Sequence, residues 1–177
     1  MATADVWIYA PISGTIYSNG NGNYCSGGYH APCKSGDGNC IDIAGVNDVF
    51  LRINSYSVVG SVKVIEEFYC APGCADKYRR IITCELWQYQ NLGGVYIGRV
   101  AFGHIDAPQY TGTQTVNMYS NLIRIGSVPS GTCGSYYTGA HSHIEYNPSP
   151  STGQLAPLSC YNSIGTSDWM YRITYNF

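Results

Sequence analysis

This sequence predicts an all-β domain, or nearly so, built on antiparallel strands. Three observations carry the prediction. Short runs of β-branched and aromatic residues recur along the chain, separated by Gly, Pro, Asn and Ser. Several runs alternate apolar and polar residues at period two, as a strand with one buried face does. No segment keeps apolar residues at three-and-four spacing over ten positions, so no helix is expected.

Taken in order, the first forty-odd residues read as loop, because Gly14, Gly20, Gly22, Gly27, Gly28, Gly36 and Gly38 interrupt any long element. Val49 to Ile53 is the first expected strand. Ser61-Val62-Lys63-Val64-Ile65 follows, with its strict alternation. Arg80 to Tyr89, Val95 to Phe102 and Leu122 to Val128 read the same way, and Ile123-Arg124-Ile125 sets one charge between two inward apolar residues. His141 to Tyr146 and Trp169 to Tyr175 complete the set. With neither an internal repeat nor a Pro- or Ser-rich linker, residues 1–177 are expected to form a single domain with a real hydrophobic core.

Composition narrows the function. Hydrophobic residues make up 45% of the chain, which excludes disorder, but only 11% are charged and the formal net charge is −2. Without a Lys/Arg run, an electrostatic grip on nucleic acid is not expected. No apolar stretch is long enough for a membrane-spanning helix. No basic segment followed by an apolar one opens the chain, and secretion is inferred from the cysteines instead. There are eight: Cys25, Cys33, Cys40, Cys70, Cys74, Cys84, Cys133 and Cys160. That even number suits four disulfides. A structural zinc cluster is the rival, but Cys70-Ala-Pro-Gly-Cys74 has no second matching pair.

The chemistry resides in four histidines, His30, His104, His141 and His143. His141-Ser142-His143 falls inside an expected strand, where residues two apart share a face, so both imidazoles can serve one site. An isolated pair of this kind is more often two surface histidines in a polar strand. The surrounding residues change that reading. Tyr137-Thr138-Gly139-Ala140-His141-Ser142-His143-Ile144-Glu145 resembles the terminal motif of the lysostaphin-type and beta-lytic zinc metallopeptidases, a Thr-Gly-Pro turn leading into His-x-His-aromatic-Glu. The sequence departs from that motif at Ala140 and Ile144, neither of which removes a functional group.

The resemblance extends upstream. Ile41-Asp42-Ile43-Ala44 resembles the Asp part of the family's His/Asp ligand motif. Gly38 stands where the common form has its histidine, but His30 lies twelve residues before Asp42, as in the looped beta-lytic and staphylolytic branch. Val100-Ala101-Phe102-Gly103-His104 resembles the family strand whose histidine lines the active site without binding metal. The match runs from about residue 29 to residue 146, and Tyr171-Arg172-Ile173-Thr174 is similar to a closing strand of that branch.

This resemblance implies a lysostaphin-type fold, one zinc ion on His30, Asp42 and His143, and catalysis assisted by His141 as base and His104 as oxyanion or second acid-base group. Glu145 shares a strand face with His141 and His143 and is expected to orient an imidazole behind the metal. Two imidazoles and one carboxylate leave an open fourth position on zinc, the arrangement of catalytic sites. The family's branch also implies a Cys84–Cys133 bridge. Cys33–Cys40 suits the loop between the upstream ligands, and Cys25–Cys160 and Cys70–Cys74 follow by elimination, leaving no free thiol. The expected function is a secreted zinc endopeptidase acting on Gly-rich peptides such as peptidoglycan cross-bridges. The alternative is a lectin or signalling protein on the same scaffold, since the chain is also similar to leukocyte cell-derived chemotaxin, which keeps the zinc and lacks a catalytic histidine. Seventeen tyrosines would suit a surface that stacks on glycan rings.

Overall fold

The computed structural model describes residues 2–20, 22–28, 30 and 40–177. Among them the chain is all-β and antiparallel. Thirteen strands run in order: β1 (Thr3–Tyr9), β2 (Gly14–Asn19), β3 (Cys40–Ala44), β4 (Asp48–Arg52), β5 (Val59–Phe68), β6 (Arg80–Gln88), β7 (Tyr96–Gly103), β8 (Thr113–Asn117), β9 (Leu122–Ser127), β10 (His141–Asn147), β11 (Thr152–Leu155), β12 (Ser163–Ile164) and β13 (Trp169–Asn176). One helical turn, α1 (Asp76–Arg79), and a 3-10 turn at Gln90–Leu92 are the helical segments described.

Eight strands form the main sheet, ordered β12-β2-β3-β10-β7-β6-β5-β8. A three-stranded sheet, β1-β13-β11, and the β4-β9 pair complete the structure. One continuous core joins them, drawing Ile8 from β1, Ile41 and Ile43 from β3, Leu51 from β4, Phe102 from β7, Ile144 from β10 and Ile173 from β13. Tyr146 of β10 stacks on Tyr171 of β13 with ring centroids 4.4 Å apart, so the main sheet meets the smaller one through aromatic faces.

Strand alternation explains which face carries chemistry. On β10, Ser142, Ile144 and Tyr146 are fully buried, which turns His141, His143 and Glu145 to the opposite face. On β3, Ile41 and Ile43 enter the core and Asp42 joins the histidines' face. The sequence expectation for residues 61–65 holds in the same terms, with Val62 and Val64 buried and Ser61, Lys63 and Ile65 between. Arg124, flanked by buried Ile123 and Ile125, pairs with Asp48 at 3.1 Å.

The reading of the first forty-odd residues as loop is corrected. Val6 and Ile8 are buried in β1 while Trp7 and Tyr9 remain half-buried, a regular alternation that pairs with β13 at the far end of the chain. β2 is short and shifts register between Ile16 and Ser18, and its glycines lie at its edges rather than within it. Glycine density marked the turns and concealed the strands between them.

The cysteine pairing is also corrected. Cys84 does not bridge Cys133: the alternation of β6 places it in the core beside Ile82 and Leu86, wholly buried, with a free thiol. Cys133 pairs instead with Cys74, Cα atoms 5.9 Å apart, so Cys70–Cys74 is not formed and Cys70 is free and exposed. Two free thiols therefore stand against the expectation of none. Cys25–Cys160 is formed as expected. Cys40 is disulfide-bonded, and Cys33, its expected partner, lies outside the described residues. No described helix is long and apolar enough to cross a membrane.

Candidate functional site

The site begins with strand register. β10 lies between β3 and β7, and His143 stands directly opposite Asp42 on one side and Gly103 on the other. Gly103 has a steric reason to be glycine, since a Cβ there would sit 2.9 Å from Cδ2 of His143. The bare backbone lets the imidazole lie across β7. His30 arrives from the loop after β2, where its N–H donates to the carbonyl of Gly22 at 2.9 Å, and its ring stacks on that of His143 with centroids 5.1 Å apart.

Asp42 is the hub. Its Oδ2 lies 2.8 Å from Nε2 of His30, and its Oδ1 accepts from Nδ1–H of His143 at 3.0 Å. The other ring nitrogen of His143, Nε2–H, donates to Oε1 of Glu145 at 3.0 Å. His143 thus bridges two buried carboxylates and holds a proton on each nitrogen. Its pKa is raised to about 10: burial opposes the charge, but hydrogen bonds and attraction from Asp42 and Glu145 outweigh it. Asp42 is likewise pushed up by burial and pulled down further by the hydrogen bonds of His143 and His30, for a net strong lowering.

These residues fit a divalent cation. Nε2 or Nδ1 of His30 and His143 and an oxygen of Asp42 all lie within 4.8 Å of one another. Asp42 and Glu145 are each 5% exposed, and among the described residues no Lys or Arg lines the groove around them. Asp42 and Glu145 share the one His143 imidazolium between them, which leaves a net negative charge that a metal would offset. Replacing the Nδ1 proton of His143 by a metal keeps Glu145 as the acceptor that fixes its ring. A second grouping, Cys40 with His143 and Glu145, offers no thiolate because Cys40 is in a disulfide.

The other two histidines stand apart from the triad. His141 donates Nδ1–H to the carbonyl of Gly139 at 2.8 Å. His104 donates Nδ1–H to the carbonyl of Tyr78 at 2.6 Å, and the hydroxyl of Tyr69 shares that carbonyl at 2.5 Å. Each ring is left with Nε2 as its acceptor nitrogen. Burial first, then the neighbouring histidines, lower the pKa of His104 to about 3. His141 is lowered by burial too, against the pull of Asp42. Both rings are neutral at neutral pH. His104 also adopts φ of +55°, a left-handed conformation costing about 1–2 kcal/mol in a residue with a Cβ.

His30, Asp42, His104, His141, His143 and Glu145 all line a single groove of about 1100 Å³, so every residue singled out in the sequence is brought together. Tyr17, Tyr24, Phe68 and Tyr136 form its exposed aromatic lining. Sequence reasoning missed Gly103, Tyr69, Tyr78 and Tyr137. A glycine directly before His104 and a tyrosine at the head of the His-x-His segment were visible clues, but among seventeen tyrosines nothing distinguished Tyr69 and Tyr78. No family model, no curated protein and no solved structure matches this chain.

Proposed function

We propose that this protein is a secreted zinc endopeptidase of the lysostaphin-type and beta-lytic kind, acting on short Gly-rich peptides such as peptidoglycan cross-bridges. One observation carries the reading: three candidate metal donors converge in a groove beside two neutral histidines that lie outside that group and keep Nε2 as an acceptor for a proton. Zinc on His30, Asp42 and His143 would supply a Lewis acid and bring the pKa of a coordinated water to about 7. His141 takes the proton of the attacking water on Nε2 and returns it to the leaving amine. Glu145 holds His143 in orientation throughout. Since the Nδ1 proton of His104 is committed to Tyr78, its Nε2 becomes a donor only after gaining a proton. The second acid-base role therefore suits His104 better than that of an oxyanion donor.

Glycan binding on the same scaffold is the second reading, favoured by the partial exposure of Tyr17, Tyr24 and Tyr136 on the groove. A single experiment separates the two. Zinc-loaded protein is offered oligoglycine and cell-wall peptides beside a glycan panel. Peptide cleavage that disappears in His141→Ala supports the peptidase. Glycan binding without cleavage, unchanged in His141→Ala, would replace it with the second reading.

A further inference from the structure

Tyr137 is 1% exposed, yet it touches both non-ligand histidines. Its ring stacks on His141 at 4.9 Å and 23°, and lies against His104 at 4.9 Å and 56°. The two imidazoles themselves meet edge to face at 4.9 Å. The hydroxyl works at both ends: it accepts the backbone N–H of His141 at 3.2 Å and donates to the carbonyl of Pro129 at 2.9 Å. Behind it, Tyr78 packs on Tyr137 at 5.1 Å, donates its own hydroxyl to Ser130, and supplies the carbonyl that fixes His104.

We infer that Tyr137 is a positioning residue, an aromatic wedge that sets the angle and spacing of His104 and His141 as one pair. The physical need is plain. His141 opens β10 and His104 sits just past the end of β7, so neither is held by ladder bonds on both sides. Histidine rings rotate about two torsions. The single carbonyl contact of His141 leaves its ring free to tilt. His104 meets both the Tyr78 carbonyl and the Tyr69 hydroxyl at Nδ1, and is held along that one edge only. The buried phenol removes that freedom for both at once, and its hydroxyl ties the entry of β10 to the loop at residues 129–130. Its consequence for turnover rests on the peptidase reading; its consequence for ring geometry does not.

The test compares wild type, Tyr137→Phe and Tyr137→Leu as zinc-loaded proteins, with ring-nitrogen NMR spectra, zinc content and kinetics. In wild type, both His104 and His141 should show the Nδ1–H tautomer, and the ring protons of His141 should be shifted upfield by the stacked phenol. That measurement needs no variant to fold, and the absence of the upfield shift overturns the wedge. In Tyr137→Leu, zinc content stays at the wild-type value while the two tautomer signals become mixed. Its kcat falls roughly ten- to a hundredfold with KM unchanged, the signature of misplacement rather than lost binding. Tyr137→Phe, which keeps the ring, restores the spectra and most of the rate. Wild-type ring spectra in Tyr137→Leu would overturn the inference. A wild type that cleaves nothing would instead remove the peptidase reading, and the ring spectra would still decide the wedge.

Discussion

Within the groove, the three candidate ligands and the two other histidines are held by different means. Asp42 and His143 are paired directly across β3 and β10 in the middle of the main sheet, and each is fixed further by carboxylate–imidazole hydrogen bonds. His104 and His141 lie at strand ends, fixed by one carbonyl each, by the Tyr69 hydroxyl at His104, by Tyr137, and by loops that the Cys74–Cys133 disulfide joins. One of them carries backbone strain. On the proposed function, metal binding and chemistry would rest on separable parts of the fold, and each part could be damaged without the other.

The largest expected effect breaks the sheet-borne half. His143→Ala removes a candidate ligand and the imidazole that two buried carboxylates share, so zinc should be lost and the protein destabilised by about 3–5 kcal/mol. Metal analysis and a denaturant titration check both consequences. His141→Ala should do the opposite, keeping its zinc and its stability while turnover drops about a hundred- to ten-thousandfold. Retention of zinc in His143→Ala would erase the distinction between the two halves.

Opening the disulfide sharpens it. Cys74→Ser/Cys133→Ser releases a loop closure of 59 residues, for which chain entropy gives up to about 4 kcal/mol. Residues 129–141 should loosen in hydrogen exchange while zinc content holds, because β3 and β10 do not depend on that bridge. A parallel loss of zinc would show that the halves are mechanically coupled.

Glu145→Gln is a smaller perturbation, keeping shape while weakening the acceptor behind His143. Zinc affinity should fall about ten- to a hundredfold in a competition assay, with the fold unchanged. Acid has a graded effect on the other half. Burial lowers the folded pKa of His104 to about 3 from its ordinary 6.5, so its contribution to stability is complete above pH 6.5 and is lost as pH falls from there toward 3. Thermal melts of metal-free His104→Phe should show a shallower decline over that window than wild type.

The smallest effect concerns thiols. Cys70 is exposed and should react promptly with a thiol reagent, whereas Cys84, its pKa raised by complete burial, should react only on unfolding. Two promptly reacting thiols would contradict its place in the core of β6.

Much of this was legible in the sequence, and the reasons for the rest are physical. Period-two alternation located β5, β9 and β10, and the His-x-His spacing within a strand put His141 and His143 on one face. The same parity argument, applied to β6, would have placed Cys84 in the core with Ile82 and Leu86; the family analogy pointed elsewhere. β1 was missed because its partner, β13, lies at the opposite end of the chain and supplies the pairing that its own residues only permit. The role of Tyr137 was not legible because it depends on three-dimensional neighbours, His104 among them, 33 residues earlier in the sequence.

The central claim is that His30, Asp42 and His143 together hold one divalent metal, and X-ray absorption on the purified protein tests it most directly. About one zinc per chain is expected, with nitrogen and oxygen ligands alone at about 2.0–2.2 Å, and no bound zinc in His143→Ala. A zinc-free protein that takes up none when zinc is supplied, or sulfur ligands at about 2.3 Å, would contradict it.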